Sequence, residues 1–140
     1  MKALTEATSV RMSQTKQRDT SAEMKLRRIL HAKGLRYRVD KSVLNHPRRR
    51  ADLVFRKARV AVFVDGCFWH GCPEHGTWPK HNATFWADKI RTNRSRDADT
   101  NDRLTAEGWA VVRVWEHEDP ENAASQIEQI VRKRIDHQSR

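Results

Sequence analysis

Two cysteines and two histidines stand where one metal ion could gather them: Cys67-x4-Cys72-x2-His75, with His117 further along the chain. Thiolate and imidazole are soft or borderline donors, and four of them suit tetrahedral Zn²⁺. Four protein ligands close the coordination shell, so such a zinc would pin a loop and could not itself activate water. The alternative reading is two reduced cysteines and surface histidines. Cysteines this close together make a poor disulfide framework for a domain of this size. A second group comprises Asp52, Asp65 and His70. With a main-chain carbonyl such as that of Val64, the carboxylates offer hard oxygen donors suited to Mg²⁺. Such an ion polarises a phosphate and stabilises a leaving oxygen. An imidazole, which ordinarily titrates near ~6.5, makes His70 a candidate general base for an attacking water. Taken singly, a strand-end aspartate is more often a turn residue and a lone histidine more often a structural one. Their meeting at one place would give them weight.

The elements that would bring them together can be read from periodicity. Thr20 and Glu23 have capping-box spacing, Leu26, Ile29 and Leu30 follow at helical intervals, and Gly34 supplies a stop. Leu35–Val39 reads as a strand, and Asn45-His46-Pro47 breaks the chain. Ala51–Phe55 and Arg59–Val64 form a predicted hairpin. The stretch 66–80, rich in Gly, Pro, Cys and His, is too irregular for regular structure. Asn82 can cap a helix running in one or two pieces to Glu107, ended by Gly108. Trp109–Trp115 reads as a strand, and Asp119-Pro120 opens a last helix with Ile127, Ile130 and Val131 on its apolar stripe. The order is α-β-β-β-α-β-α. If Arg59–Val64 and Trp109–Trp115 are joined by a right-handed parallel crossover, their carboxyl ends share the edge at which open α/β sheets bind ligands. Pairing Phe55 with Val60 then sets Asp52 opposite Phe63 and close to Val64. Asp52, Val64, Asp65, Cys67, His70 and His117 should converge there.

The 140 residues fit one domain. Residues 1–19 read as a flexible basic arm and 20–140 as the folded unit. Residues 1–50 carry 14 Lys and Arg against 4 Asp and Glu, whereas residues 51–140 carry 14 of each, so the net charge of +10 lies in the first third. A polyanionic partner is implied. The arm could fold against a phosphate backbone or simply solubilise the chain. Arg48-Arg49-Arg50, placed directly before a strand, would form a concentrated anion site unless it is a solvated run. The longest apolar stretch, Val60–Val64, is five residues, against the roughly 20 of a membrane span. With no signal-peptide core in the first residues, the chain is expected in the cytoplasm.

Several ordered blocks carry a resemblance. They are Thr20-Ser21-Ala22-Glu23, Gly34-Leu35-Arg36-Tyr37-Arg38, Ala51-Asp52-Leu53-Val54-Phe55, Val64-Asp65-Gly66-Cys67-Phe68-Trp69-His70-Gly71-Cys72-Pro73, Phe85-Trp86, Lys89-Ile90, Asn93, Arg96-Asp97, Gly108-Trp109 and Val114-Trp115-Glu116. From about Thr20 to Glu118 the sequence closely resembles the very-short-patch repair (Vsr-type) DNA mismatch endonucleases, with Gly66–Cys72 the most specific part. The resemblance implies an α/β, restriction-endonuclease-like fold, a mixed sheet flanked by helices with a structural zinc site. It also implies Mg²⁺-dependent nicking of one DNA strand 5′ to the thymine of a T:G mismatch left by deamination of 5-methylcytosine.

Carried over, Asp52 and the Val64 carbonyl hold the Mg²⁺ and His70 is the general base. Glu23 organises metal-bound water and Asp97 the histidine. Phe68, Trp69 and Trp86 match aromatic residues that wedge beside the mismatch, where flat rings compensate for lost base stacking. Best-known members have a histidine where this chain has Asp65, which could bind metal or shape the turn. Their remaining zinc ligands, at the places of Cys72, His75 and His117, have the histidine and cysteine kinds exchanged. The family context implies a cytosine-5 DNA methyltransferase and a repair polymerase as functional partners. A monomer is expected, since a mismatch has no two-fold axis for a dimer to match. A same-fold nuclease of different specificity and a zinc-stabilised DNA-binding module without catalysis are the competing readings.

Overall fold

The computed structural model describes residues 21–66 and 83–138. Among them the elements are α1 (Ser21–Ala32), β1 (Arg38–Asn45), β2 (Arg48–Phe55), β3 (Val60–Asp65), α2 (Ala83–Ala106), β4 (Ala110–Trp115) and α3 (Pro120–Gln138). The order matches the sequence expectation.

The four strands form one sheet in the order β1-β2-β3-β4. β1 and β2 are antiparallel, as are β2 and β3, whereas β3 and β4 run parallel through the α2 crossover. The expected pairing of Phe55 with Val60 is observed. Strand alternation sorts the core into two layers. Leu53, Phe55, Val60, Val62, Val112 and Val114 pack with Leu26 and Leu30 of α1 and Ala123, Ile127 and Val131 of α3. On the opposite face Val54, Ala61 and Phe63 pack with Leu104 of α2. The result is a mixed sheet between helices, held by small to medium side chains that are almost wholly buried.

Helix ends follow the sequence signals. Gly34 and Gly108 adopt φ of 81° and 89°, the left-handed conformation that glycine takes without a Cβ penalty. Leu35 N–H returns to the Leu30 carbonyl at 3.2 Å, and Trp109 N–H to that of Leu104 at 2.9 Å, satisfying carbonyls that each helix leaves open. Asp119 caps α3 by accepting from Glu121 N–H at 3.2 Å.

The first hairpin needs correction. β1 begins at Arg38 and runs to Asn45, later and longer than the expected Leu35–Val39, and β2 begins at Arg48 rather than Ala51. β1 is an edge strand among the described residues, with a single fully buried side chain, Leu44. It therefore lacks the apolar alternation on which the reading relied. Arg48, Arg49 and Arg50 consequently lie within a strand and not in a loop before one. Strict alternation also fails in mid-hairpin: Leu53 belongs to one layer and Ala51 to the other. Between them lies Asp52, and between the facing residues Val39 and Lys41 lies Asp40, at a φ of 51°. This is a left-handed position that an aspartate tolerates better than a bulky residue.

Candidate active site

The paired residues of β2 and β3 end at Leu53 and Val62. Beyond them the Asp52 carboxylate takes the place of a main-chain acceptor, with Val64 N–H donating to Asp52 Oδ2 at 2.7 Å. In an antiparallel pair the N–H and C=O of one residue point to the same neighbour. The Val64 carbonyl therefore leaves β3 on the Asp52 side, while Asp65, one residue on, offers its carbonyl to Glu116 N–H of the β4 end at 3.0 Å. Asp52 and Val64 meet at the carboxyl edge, as the topology predicted.

The surrounding field makes Asp52 unusual. Burial is the main cause that pushes its carboxyl up to about 6, and the nearby Asp65 and Asp40 push the same way. The Val64 N–H and the Arg27 guanidinium oppose them. Each acidic neighbour has an arginine. Glu23, 2% exposed in α1, is paired with Arg27 one turn on. Asp40 is paired with Arg50 at 3.1 Å. Asp65, 6% exposed, is gripped by Arg113 Nη1 at 2.9 Å and 3.2 Å to its two oxygens. Asp52 itself forms no ion pair among the described residues. A partly buried carboxylate short of counter-charge, with a carbonyl on the same side, is a donor pair that fits a hard divalent cation.

Asp97 reaches the same edge from α2, with its Oδ1 3.5 Å from Arg113 Nη1. Asp65 and Asp97 are thus brought together through Arg113, which the sequence reading did not single out. The strand pattern around Arg113 does not mark it, because its partners lie on β3 and α2. Asp40 was missed likewise, because its partner Arg50 is set by strand pairing, whereas Arg27 was overlooked although it stands at i,i+4 to Glu23 in one helix. Tyr37 steadies this corner by donating to the Arg27 carbonyl at 2.9 Å.

The three consecutive arginines are not one cation patch. Arg49 bonds Thr100 Oγ1 at 2.9 Å and Asp99 at 3.3 Å, tying β2 to α2. Arg50 holds Asp40, and Arg48 is exposed. Trp86, partly buried near the start of α2, meets Phe85 edge-to-face with ring centroids 5.0 Å apart, and Phe85 is 57% exposed. His117 lies exposed in the turn after β4. It lines a cavity of about 480 Å³ with Val64, Lys25 of α1 and Pro120 of α3. Among the described residues no three His, Cys, Asp or Glu side chains gather as a metal site. Cys67, Phe68, Trp69, His70, Cys72 and His75 lie outside the described residues.

The family model for the DNA mismatch endonuclease Vsr matches residues 2–75. The type II nicking enzyme V.NaeI of Lentzea aerocolonigenes is 42% identical over 118 residues, covering 83% of this chain and 71% of that protein. The type II nicking enzyme V.NmeDIP of Neisseria meningitidis serogroup C is 39% identical over 127 residues, covering 86% and 83%. The DNA mismatch endonuclease Vsr of Escherichia coli (strain K12) is 37% identical over 103 residues, covering 71% of this chain and 62% of its own. The first two relatives span the crossover and β4 as well as the hairpin. A match over half the chain, together with relatives of this identity and coverage, means that the chain belongs to the Vsr family of DNA mismatch endonucleases and is a DNA endonuclease.

Proposed function

We propose that the enzyme recognises T:G mismatches arising from 5-methylcytosine deamination and, with Mg²⁺, nicks one strand 5′ to the mismatched thymine to start very-short-patch repair. The observation that carries the reading is Asp52 on the Val64 N–H, a carboxylate without an ion pair among the described residues, at the broken end of the β2–β3 ladder. Asp52 and the Val64 carbonyl would hold the Mg²⁺. When bound, the ion supplies Lewis acidity toward the phosphate and charge for the leaving oxygen. His70 takes the proton of the attacking water, with Asp97 orienting it. Glu23, buried against Arg27, orders water on the α1 side. Phe68, Trp69 and Trp86 stack beside the mismatch.

Cys67, Cys72, His75 and His117 would hold a structural Zn²⁺, two thiolates and two imidazoles being a donor set that the ion favours. His117 stands at the end of β4, on the same edge from which the chain leaves β3 toward Cys67. The enzyme works as a monomer in the cytoplasm on nucleoid DNA, alongside a cytosine-5 DNA methyltransferase and a repair polymerase.

The test is nicking of end-labelled duplexes, T:G-mismatched and fully paired, with Mg²⁺ and a panel of flanking sequences. A single cut 5′ to the mismatched thymine, lost in Asp52→Ala while mismatch binding persists, is expected. Cutting of paired duplexes would replace this reading with a nuclease of different specificity. Tight binding without cutting would replace it with a zinc-stabilised binding module.

A further inference from the structure

Arg113 occupies the inner face of β4 directly beside Phe63 of β3. Its guanidinium lies over the Phe63 ring, 4.2 Å from the centroid, a placement that fixes the plane of the fork. From there Nε donates to Asn101 Oδ1 at 2.7 Å, and Nη1 donates to both Asp65 oxygens. The same Nη1 is within 3.5 Å of Asp97 Oδ1, and Nη2 is 3.5 Å from the Asp97 carbonyl. One side chain therefore joins the end of β3, β4 and two successive turns of α2.

The acidic residue that it grips is next in sequence to Val64 and close enough to Asp52 to push that carboxyl upward. An unpaired Asp65 would be a second hard oxygen donor beside the first. With both oxygens on Arg113, Asp65 is committed to the protein. We infer that Arg113 is a positioning residue that withholds the Asp65 carboxylate from the metal site and fixes Asp97 against the end of β3, leaving Asp52 to face the cation. This rests on the metal-dependent reading above and extends it to a residue that never touches metal or DNA. It also gives Asp65 a role, as the anchor of the clamp.

The inference separates rate from binding. In Arg113→Met, Asp65 loses the guanidinium that holds both of its oxygens. Supporting residues of this kind typically change activity by about 10–100-fold, and the single-turnover nicking rate is expected to fall by that amount. Affinity for the mismatched duplex, measured by anisotropy with Ca²⁺, should stay within about threefold, because the guanidinium is spent on protein partners. Without DNA, Mg²⁺ should raise the melting temperature of this variant more than that of wild type, since two carboxylates then meet the ion. Adding Asp65→Asn should return the Mg²⁺ response to the wild-type value and raise the rate above that of the single variant. Arg113→Lys keeps one charge opposite Asp65 and should retain a wild-type Mg²⁺ response with an intermediate rate, so it carries the test if the Met variant does not fold.

Wild-type nicking by Arg113→Met, or a Mg²⁺ response that Asp65→Asn does not reset, would overturn the inference. Absence of Mg²⁺-dependent nicking in the wild type would instead overturn the proposed function. The two failures are distinguishable.

Discussion

Asp52 is destabilising in its ionised state until a cation or a proton arrives. Its native value of about 6 lies above the ~3.9 of an unfolded aspartate. Between those two values the native state binds more protons than the unfolded chain, so stability falls as pH rises. The penalty is absent below about pH 4, complete above about pH 6, and on the order of 3 kcal/mol. Asp52→Asn should therefore abolish nicking yet melt higher than wild type at pH 7.5 in metal-free buffer. Its melting temperature should lose this acid-side slope. Thermal scans from pH 4 to 8 read both, and an unaltered slope in the variant would mean that Asp52 is not the group responsible. Of this corner the sequence disclosed the aspartate and its neighbour Val64, because strand pairing fixes which residues lie opposite. It did not disclose that Glu23, Asp40 and Asp65 would each have an arginine. The Glu23–Arg27 pair has helical i,i+4 spacing and lay open to a local reading, whereas Arg50–Asp40 and Arg113–Asp65 join different elements and follow from packing.

The elements most legible in the sequence are those whose apolar period is strong: α1, the β2–β3 hairpin, β4 and α3. β1 was misplaced because an edge strand with one buried residue has no such period, and a boundary three residues off turned a strand-borne Arg48–Arg50 into a supposed loop cluster. The consequence is testable at the level of the β2–α2 contact. Arg49→Ala removes the bonds to Asp99 and Thr100, and should lower stability by about 1–2 kcal/mol, read by urea denaturation. Arg48→Ala should leave stability unchanged. A second prediction concerns the stretch between β3 and α2. If a closed zinc shell holds it, Cys72→Ser or chelation will lower the melting temperature and release one zinc per chain, because the free energy of a structural metal is folding free energy. An unchanged melting temperature with zinc still bound would remove Cys72 from the ligand set.

For the whole molecule, the net charge of +10 predicts binding to any duplex that weakens steeply with salt. The pairing of Arg49 and Arg50 with acidic residues restricts which cations contribute. Losing Arg48 should reduce the slope of log affinity against log salt by about 1, while losing Arg50 should change it less. Equal slopes for both variants would show that strand pairing does not decide phosphate contact. No helix among the described residues is long and apolar enough to cross a membrane. At the sheet edge opposite Asp52, Arg134 of α3 donates to the Ala58 carbonyl at 2.6 Å and to that of Gly108 at 2.5 Å. These carbonyls belong to the turns that precede β3 and β4, the two parallel strands. Parallel pairing forms slowly because it waits on a long crossover. A turn made at residue 58 here waits also for residue 134, synthesised 76 positions later. During translation the hairpin can form early, but the turns that lead into the two parallel strands gain these last hydrogen bonds only after α3 has docked.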